Sequence, residues 1–198
     1  MDNHENIKKY RKLPVILNED EQKVLLAQPN PKAPTGLRNI CILRVMLDAG
    51  LTLSEVTSLR PDEIDFTNGC ITVRHADGYR EGRILWLGAE NLSFIQRWIK
   101  VRPNAEYLFC TLKGSKLDDR YIREMVKRLA VKAKINKNVF PHSLRHTFAA
   151  DLYRKTRNIR IVQEALGHVD LSTTMIYANV IDEKLEEAMK FFRKGETA

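Results

Sequence analysis

The sequence predicts a mainly α-helical domain with one small antiparallel β-sheet, an α+β fold. Two β-like runs, CITVR (70–74) and RILWL (83–87), flank a polar loop that contains glycine, and together they predict a hairpin. From Ala89 onward, apolar residues recur at helical spacing. The chain of 198 residues is long enough for one sizeable core, and the sequence indicates no second folded domain.

Helix start and stop signals divide the region before the hairpin. A capping box of Asn18 and Glu21 opens a short helix that runs to about Ala27, and PNPKAPTG (29–36) then breaks the chain. The apolar residues that follow predict a buried helix, which ends at Gly50 because glycine favours a helix C-terminus.

A second capping box, formed by Thr52 and Glu55, starts a further helix that stops before Pro61. Beyond the hairpin, the predicted helices cover the approximate ranges 89–101, 118–134, 143–155, 160–166, 171–178 and 182–193. Residues 1–12 are polar and basic, and we expect them to form a flexible arm or the stump of a linker.

Charge and composition narrow the class of partner. The 33 basic and 25 acidic residues give a formal net charge of +8, which favours a polyanion because neutralised phosphates release counterions. Neither an apolar run of about 18 residues nor an apolar leader is present, so no membrane span or signal peptide is expected. Cys41, Cys70 and Cys110 are too scattered for a zinc knuckle or a disulfide framework and indicate a reducing cytoplasm.

The stretch FPHSLRHTFAADLY (140–153) places two histidines and an arginine within five positions. His142 and His146 would share a helix face, as two metal ligands do, but neither an H-E-x-x-H pattern nor a third ligand accompanies them. His142 and Arg145 could instead simply decorate a helix terminus. In a third interpretation, these two residues lie over one turn and bind an anion at the positive end of the helix.

Downstream, ALGHVDLSTTMIYANV (165–180) carries His168 after a glycine break and Tyr177 nine residues later. Taken alone, Tyr177 is an amphipathic residue with its hydroxyl at the edge of the core. The segment IRIVQEALGHVDLSTTMIY also fits a helix-turn-helix with Leu-Gly at its turn. The residues by themselves leave these interpretations open.

Taken together, the ordered set H-S-L-R (142–145), L-G-H (166–168) and Tyr177 resembles the catalytic domain of the tyrosine recombinases, also called phage-type integrases. GLTLSEVTSLRPDEIDF is similar to the GLR-x-SE-x-x-x-L…DID segment of that family, and the hairpin follows in the expected place. The similarity runs from about Leu13 to the C-terminus, which is nearly the whole chain.

The resemblance implies site-specific DNA breakage and rejoining without a metal or another cofactor. Tyr177 would attack a phosphodiester and form a 3′-phosphotyrosyl intermediate, which conserves the bond energy for rejoining. Arg145 would grip the attacked phosphate, and His142 and His168 would add hydrogen bonds or transfer protons. Glu55 matches the acidic position that orients this set, and the same residue can complete the capping box.

The chain departs from the family pattern at two positions. The family has an arginine where this chain has Thr52, and a threonine neither reaches as far nor carries charge. The family also has a lysine in the hairpin as general acid, but RHADGYREGR contains none, and Arg74 and Arg80 are the nearest cations. Each lost donor would cost about 3 kcal/mol, so the catalytic set is expected to be compromised. The further candidates to replace the missing arginine are Arg44, Arg60 and Arg83.

The leading hypothesis is therefore a slow tyrosine recombinase or integrase. A catalytically lapsed relative that binds DNA or regulates genes is the alternative, and a topoisomerase-like enzyme or a plain repressor is less favoured. The expected partners are double-stranded DNA and other copies of the chain on that DNA, with the helix 182–193 as their contact. Neither a membrane nor a small-molecule substrate is expected, and the expected location is the cytoplasm. Residues 13–198 would form the catalytic domain, because residues 1–12 are too short for the family's N-terminal DNA-clamping domain.

Overall fold

The computed structural model of the chain describes residues 13–74 and 82–182. Its elements in chain order are α1 (Glu19–Leu26), α2 (Pro34–Asp48), α3 (Leu53–Ser58), β1 (Ile64–Asp65), β2 (Cys70–Val73), β3 (Arg83–Trp86), α4 (Ala89–Val101), α5 (Asp119–Lys132), α6 (Pro141–Thr156) and α7 (Ile159–Leu166). Short 3-10 turns cover Pro61–Glu63 and Leu171–Thr173, and residues 175–182 are helical up to the end of the described range. The α+β class predicted from the sequence is confirmed.

The first helices begin where the capping residues predict. Asn18 and Glu21 exchange two hydrogen bonds of 2.8 Å between side chain and backbone N–H, which opens α1. The break after α1 is shorter than PNPKAPTG suggests, because α2 already begins at Pro34. A proline suits the first helical position, since its φ is preset and its missing N–H would have had no partner there.

The hairpin predicted from the two β-like runs is present. β2 and β3 pair antiparallel, with Cys70 opposite Trp86 and Val73 opposite Arg83. A two-residue strand, β1, pairs with the other edge of β2. This strand was not predicted, because two residues cannot display the alternation that identifies a strand. Arg83 lies at the first position of β3, the strand that contacts α7.

Helix α2 is at the centre of the main core. Most of its residues are buried, and it packs against α4 and α6. Trp98 of α4 is fully buried and donates its indole N–H to Leu108 O at 2.9 Å. The three cysteines are buried as free thiols. In the part of the chain that the structure describes, no helix combines the length and the apolar character needed to cross a bilayer.

A second apolar cluster joins α6, α7 and the helical residues 175–182. Ala150, Val162 and Leu166 are buried in it together with Tyr177, which is only 3% exposed. The phenol ring is therefore held inside the fold and contributes to packing as well as to the site described below.

Two C-terminal segments differ from the prediction. Helix α6 begins at Pro141, two residues earlier than expected, so His142 lies within its first turn. The helix expected over 171–178 is instead a 3-10 turn followed by a separate helical segment. Apart from its first residue, the helix predicted over 182–193 lies outside the described residues.

Candidate functional site

The start of α6 positions two of the residues that the sequence singled out. Pro141 occupies the first helical position, and Ser143 Oγ accepts a hydrogen bond from Phe140 N–H at 3.2 Å. His142 and Arg145 are three residues apart and therefore share one face of the helix. Both side chains line a pocket of about 300 Å³.

Backbone carbonyls fix the guanidinium of Arg145. Its two terminal nitrogens donate to Gly50 O and Leu166 O, both at 2.6 Å, and the residue is 5% exposed. Gly50 has a φ of +65°, and a Cβ at this position would lie 2.2 Å from the Phe148 ring, so glycine is required there. A guanidinium carries more N–H donors than these two contacts use, so Arg145 retains donors for an anion.

Glu55 binds two arginines that come from different parts of the chain. Arg83 Nη1 and Nη2 donate to its carboxylate at 2.6 and 3.0 Å, and Arg145 Nη1 lies 3.7 Å from Oε2. Thr52 N–H also donates to Oε2 at 2.7 Å, so the predicted capping box is confirmed. Burial opposes ionisation of Glu55, but these hydrogen bonds and charges outweigh burial and lower its pKa below the ordinary value. The carboxylate is therefore an anion that bridges two guanidinium groups.

Arg83 connects the hairpin to this region. Besides binding Glu55, it donates Nε–H to Ala165 O at 2.7 Å, one residue before the carbonyl that accepts from Arg145. Its side chain is 10% exposed. A Cβ on Gly167 would lie 3.3 Å from Arg83 Nη1, so the glycine allows the guanidinium to approach the chain. Two guanidinium groups thus bind consecutive carbonyls at the C-terminal end of α7.

His168 follows at the end of α7. Gly167 caps the helix in the left-handed conformation, with a φ of +66°, and turns the chain. His168 Nδ1 then lies 2.9 Å from Thr174 Oγ1. Burial, followed by the charges of Arg145 and Arg83, lowers the pKa of His168 to about 4. The imidazole is therefore neutral near pH 7.

The Tyr177 hydroxyl lies 2.8 Å from His146 Nδ1. Burial raises the pKa of Tyr177 to about 12, and the charge of Arg145 offsets only part of that effect. Burial also lowers the pKa of His146 to about 4, with further contributions from the charges of His142, Arg145 and His168. At physiological pH the two groups therefore form a neutral phenol–imidazole pair.

Arg145 lies at the centre of these groups. In addition to the effect of partial burial, its charge lowers the pKa of His142, His146 and His168. The same charge lowers the pKa of Tyr177, against the larger opposite effect of burial. A guanidinium, three imidazoles and a phenol, contributed by α6, the end of α7 and the helical residues 175–182, are therefore gathered in one region. Donors of this kind are suited to hold a phosphate and the charge that develops on it during displacement.

Comparison with known proteins identifies the family. Residues 16–184 match the phage integrase family. The chain belongs to this family. It is 33% identical over 181 residues to the tyrosine recombinase XerD of Ralstonia nicotianae, covering 88% of this chain and 58% of the relative. It is 34% identical over 198 residues to the tyrosine recombinase XerC of Pelotomaculum thermopropionicum, covering 93% and 62%. The chain thus spans about three fifths of the length of these relatives.

Solved structures of tyrosine recombinases share the fold. The crystal structure of XerA recombinase matches with a TM-score of 0.79 and 30% identity, over 96% of this chain and 68% of that chain. The XerH site-specific recombinase, bound to a palindromic difH substrate in a post-cleavage complex, matches with a TM-score of 0.78 and 31% identity over 92% and 54%. The tyrosine recombinase catalytic-domain fold expected from the sequence is confirmed.

Within this integrase fold, Thr52 caps a helix. Its Oγ1 accepts Glu55 N–H at 3.3 Å and lies 3.2 Å from Ser54 Oγ. Thr52 also lines the pocket that contains His142 and Arg145, and the exposed Arg123 of α5 lines the same pocket. The space beside Thr52 is therefore open, and an unburied cation lies at its edge.

The other arginines that the sequence offered as replacement cations differ in the carboxylates that they bind. Three of them pair with other carboxylates: Arg44 with Glu90, Arg60 with Glu106 and Arg74 with Glu63. Arg80 lies outside the described residues, as does the rest of the hairpin loop 75–81. Of the candidates that the structure describes, Arg83 is the one that contacts Glu55.

The sequence pattern indicated His146 only as a possible metal ligand. In the structure its ring meets His142 edge-on, with centroids 4.4 Å apart, and its Nδ1 is engaged with Tyr177. Among the described residues, no group of three or more His, Cys, Asp or Glu side chains is arranged to hold a metal ion. Helical spacing placed His146 near His142, but its phenol partner lies 31 residues downstream, beyond the reach of a local pattern.

Proposed function

We propose that this chain breaks and rejoins double-stranded DNA at specific sites through a 3′-phosphotyrosyl intermediate on Tyr177. The observation that carries the proposal is the gathering of Tyr177, Arg145 and His168 in one region, although they belong to three separate elements. Membership of the phage integrase family, together with the similarity to the tyrosine recombinases XerD and XerC, supports the same chemistry.

Arg145 and two histidines would stabilise the phosphate while Tyr177 attacks it. The phosphorus centre gains negative charge toward its pentavalent transition state, and donors already aimed at it stabilise that state more than the ground state. Two backbone carbonyls orient Arg145 in advance, so it needs little reorganisation. His142 and His168 would donate hydrogen bonds or protons to the phosphate oxygens. Because the tyrosyl ester retains the bond energy, a 5′-hydroxyl can reverse the step.

Arg83 would supply the guanidinium that the family pattern places at position 52. It binds Glu55, the acidic partner expected to orient the site, and it is one carbonyl away from Arg145. With two guanidinium groups around one carboxylate, the region keeps a net positive charge. The hairpin itself offers no comparable replacement for the lysine, since the loop RHADGYREGR contains arginines but no lysine. Slow departure of the 5′-oxygen is therefore the expected defect.

Double-stranded DNA would be the partner, and copies of the chain would assemble on it. The net charge of +8 supports binding to a polyanion and predicts an affinity that falls steeply with salt. Residues 13–198 would act as the catalytic domain, residues 1–12 as a basic arm, and the helix expected over 182–193 as the contact between copies. This assignment includes a cytoplasmic location and no small-molecule substrate.

A nicked suicide substrate tests the proposal, because loss of a short fragment prevents rejoining and traps the adduct. The native chain is incubated with a pool of nicked duplexes that carry inverted repeats with randomised arms, and products are separated under denaturing conditions. We expect a covalent protein–DNA adduct from the native chain and none from Tyr177→Phe. No adduct from the native chain, under conditions in which XerH reacts with a difH duplex, would overturn the enzymatic assignment.

The alternative is a DNA-binding relative that has lost catalysis, and the environment of Thr52 favours it. This residue uses its hydroxyl to cap α3 and leaves an open pocket where a long cation could lie. The alternative predicts salt-sensitive DNA binding without an adduct, and identical binding by Tyr177→Phe. Thr52→Arg separates the two cases. An adduct that appears only in this variant would mean that the native chain is a binding module whose remaining site is intact.

A further inference from the structure

The environment of the Tyr177 hydroxyl indicates how its proton is removed. The hydroxyl lies 2.8 Å from His146 Nδ1, and the ring centroids are 5.7 Å apart. His146 is the residue after Arg145 and lies one helical turn beyond His142. The side chain that contacts the nucleophile therefore comes from the same helix that carries the phosphate-binding arginine.

The proposed attack requires a proton acceptor. With a pKa of about 12, Tyr177 is a neutral phenol at physiological pH and a weak nucleophile. It must lose its proton as the bond to phosphorus forms, and the acceptor has to lie within hydrogen-bond reach of its oxygen. In the described part of the chain, His146 is the side chain that hydrogen-bonds to this hydroxyl.

His146 is unprotonated near pH 7, so its Nδ1 lone pair can accept a hydrogen bond. Its ring is neutral near pH 7, because burial and the charges of His142, Arg145 and His168 disfavour the imidazolium. When the ring proton resides on Nε2, the Nδ1 lone pair accepts the phenolic O–H. Arg145 cannot take this role, because a guanidinium has no acceptor atom.

We propose that His146 is the general base that removes the phenolic proton of Tyr177. This step rests on the proposed DNA cleavage. The bond from Tyr177 Oη to phosphorus forms, the bond from phosphorus to the 5′-oxygen breaks, and the phenolic proton moves to His146 Nδ1. The departing 5′-oxygen takes a proton from water. In rejoining, the 5′-hydroxyl gives its proton back to the hydroxide left by that water and attacks phosphorus, the bond from phosphorus to Tyr177 Oη breaks, and the imidazolium returns its proton to the phenolic oxygen.

Single-turnover kinetics on the nicked duplexes test this assignment. His146→Gln removes the titratable nitrogen and keeps a hydrogen-bond acceptor near the phenol. We expect adduct formation to slow by about 10²- to 10⁴-fold, the usual contribution of general acid–base catalysis. Raising the pH should recover part of the rate in this variant, because the phenol then ionises without a base. Circular dichroism and thermal melting of each variant verify that it is folded.

Two chemical changes separate proton removal from other roles of His146. A 5′-bridging phosphorothiolate provides a leaving group that needs no proton, so it should rescue a missing general acid but not His146→Gln. Fluorinated tyrosine at position 177 lowers the phenol pKa and should rescue His146→Gln, whereas a purely structural role would give no rescue. If the Gln variant does not fold, the fluorotyrosine series is repeated with His146→Asn.

Each outcome supports or overturns the assignment. A rate defect insensitive to the sulfur substrate and rescued by fluorotyrosine supports His146 as the base. An unchanged rate in His146→Gln, or a defect that the sulfur substrate rescues, overturns it while leaving the cleavage itself in place. A native chain that forms no adduct overturns the proposed function instead, and with it the step assigned to His146.

Discussion

The site has two halves that are held together by different forces. One half, on α3 and β3, consists of Thr52, Glu55 and Arg83, and its central interaction is a carboxylate bound to guanidinium. The other half, on α6 and the C-terminal segments, includes the neutral pair of His146 and Tyr177. Arg145 lies between them, close to the carboxylate and surrounded by the histidines.

This difference explains where the chain can depart from its family. In the proposed reaction, His146 and Tyr177 of the neutral half would contact the reacting atoms directly, so the chemistry would constrain these residue types. The charged half depends on the number and position of charges, which another residue can supply from a neighbouring element. In the proposed reaction, Arg83 from the hairpin would substitute for a cation at position 52. Among the described residues, Tyr177 is the phenol that hydrogen-bonds to His146.

Breaking the ion pair between Arg83 and Glu55, in the charged half of the site, should have the largest effect on the free energy of unfolding. Arg83 and Glu55 are 10% and 12% exposed. Removal of Arg83 takes two hydrogen bonds from a largely buried carboxylate and leaves it with the more distant Arg145 at 3.7 Å. Arg83→Met is expected to lower the free energy of unfolding by about 3–5 kcal/mol, measured by urea denaturation. The matched control is Arg60→Met, whose pair with Glu106 has the same 2.6 Å separation but is about half exposed.

The control should change stability by only about 0–1 kcal/mol, because solvent screens exposed pairs. A double-mutant cycle with Glu55→Gln then isolates the pair. Equal changes in the free energy of unfolding for Arg83→Met and Arg60→Met would contradict the description of the charged half as a buried charge cluster.

The second prediction concerns Arg145, which connects the two halves. Arg145→Lys removes the planar fork that binds Gly50 and Leu166, so adduct formation should fall about a hundredfold to a thousandfold. The control is Arg38→Lys, because Arg38 is also buried at 3% exposure and donates to a backbone carbonyl, Cys110 O, at 2.8 Å. Comparable losses of adduct in the two variants, after correction for the folded fraction, would mean that Arg145 is merely structural.

Much of the fold could be predicted from local signals. Capping boxes located the starts of α1 and α3, and two β-like runs located the hairpin, because these features depend on neighbouring residues. The motif residues Arg145, His168 and Tyr177 were identified by the resemblance to the tyrosine recombinases, and the structure brings them together. The two-residue strand β1 escaped prediction, since its pairing depends on β2 rather than on its own sequence.

The connections within the site were not predictable in the same way. Arg83 was one of several candidate cations, and only the fold places it against Glu55, 28 residues earlier in the chain. The contact between His146 and Tyr177 likewise joins residues that are 31 apart. Such pairings depend on how elements pack, and neither periodicity nor capping contains that information.

The contributions of the two halves to the free energy of unfolding should be lost at different pH values as the solution is acidified. Both His146 and His168 have a folded pKa of about 4 against an ordinary 6.5, so the unfolded chain binds more protons between these values. Their contribution is present above pH 6.5 and is lost gradually as the pH falls toward 4. Glu55 has a lowered pKa, so its contribution is present above the ordinary 4.5 and is lost as the pH falls through its folded value.

Urea unfolding at a series of pH values measures this separation. The free energy of unfolding should decline first between pH 6.5 and 4, and the decline should be shallower in a variant that combines His146→Gln and His168→Asn. The effect of each ring is moderated because both imidazoles are only half-buried. A stability that stays flat down to pH 4.5 would contradict the assignment of neutral, half-buried histidines.

The smallest effect on stability and on adduct formation is expected at Thr52, one of the two positions where the chain departs from the family pattern. Its Oγ1 caps α3, and its side chain lines the pocket. The side chain is uncharged, so it adds no charge–charge interaction with the Glu55 carboxylate. Thr52→Ala should therefore lower the free energy of unfolding by about 1 kcal/mol, while Thr52→Ser restores the cap and the stability. The rate of adduct formation should be the same in all three chains, because in the proposed reaction Arg83 rather than Thr52 would supply the cation. A large loss of adduct in Thr52→Ala, with stability intact, would instead place the threonine hydroxyl on the phosphate and reduce the role of Arg83 to holding Glu55.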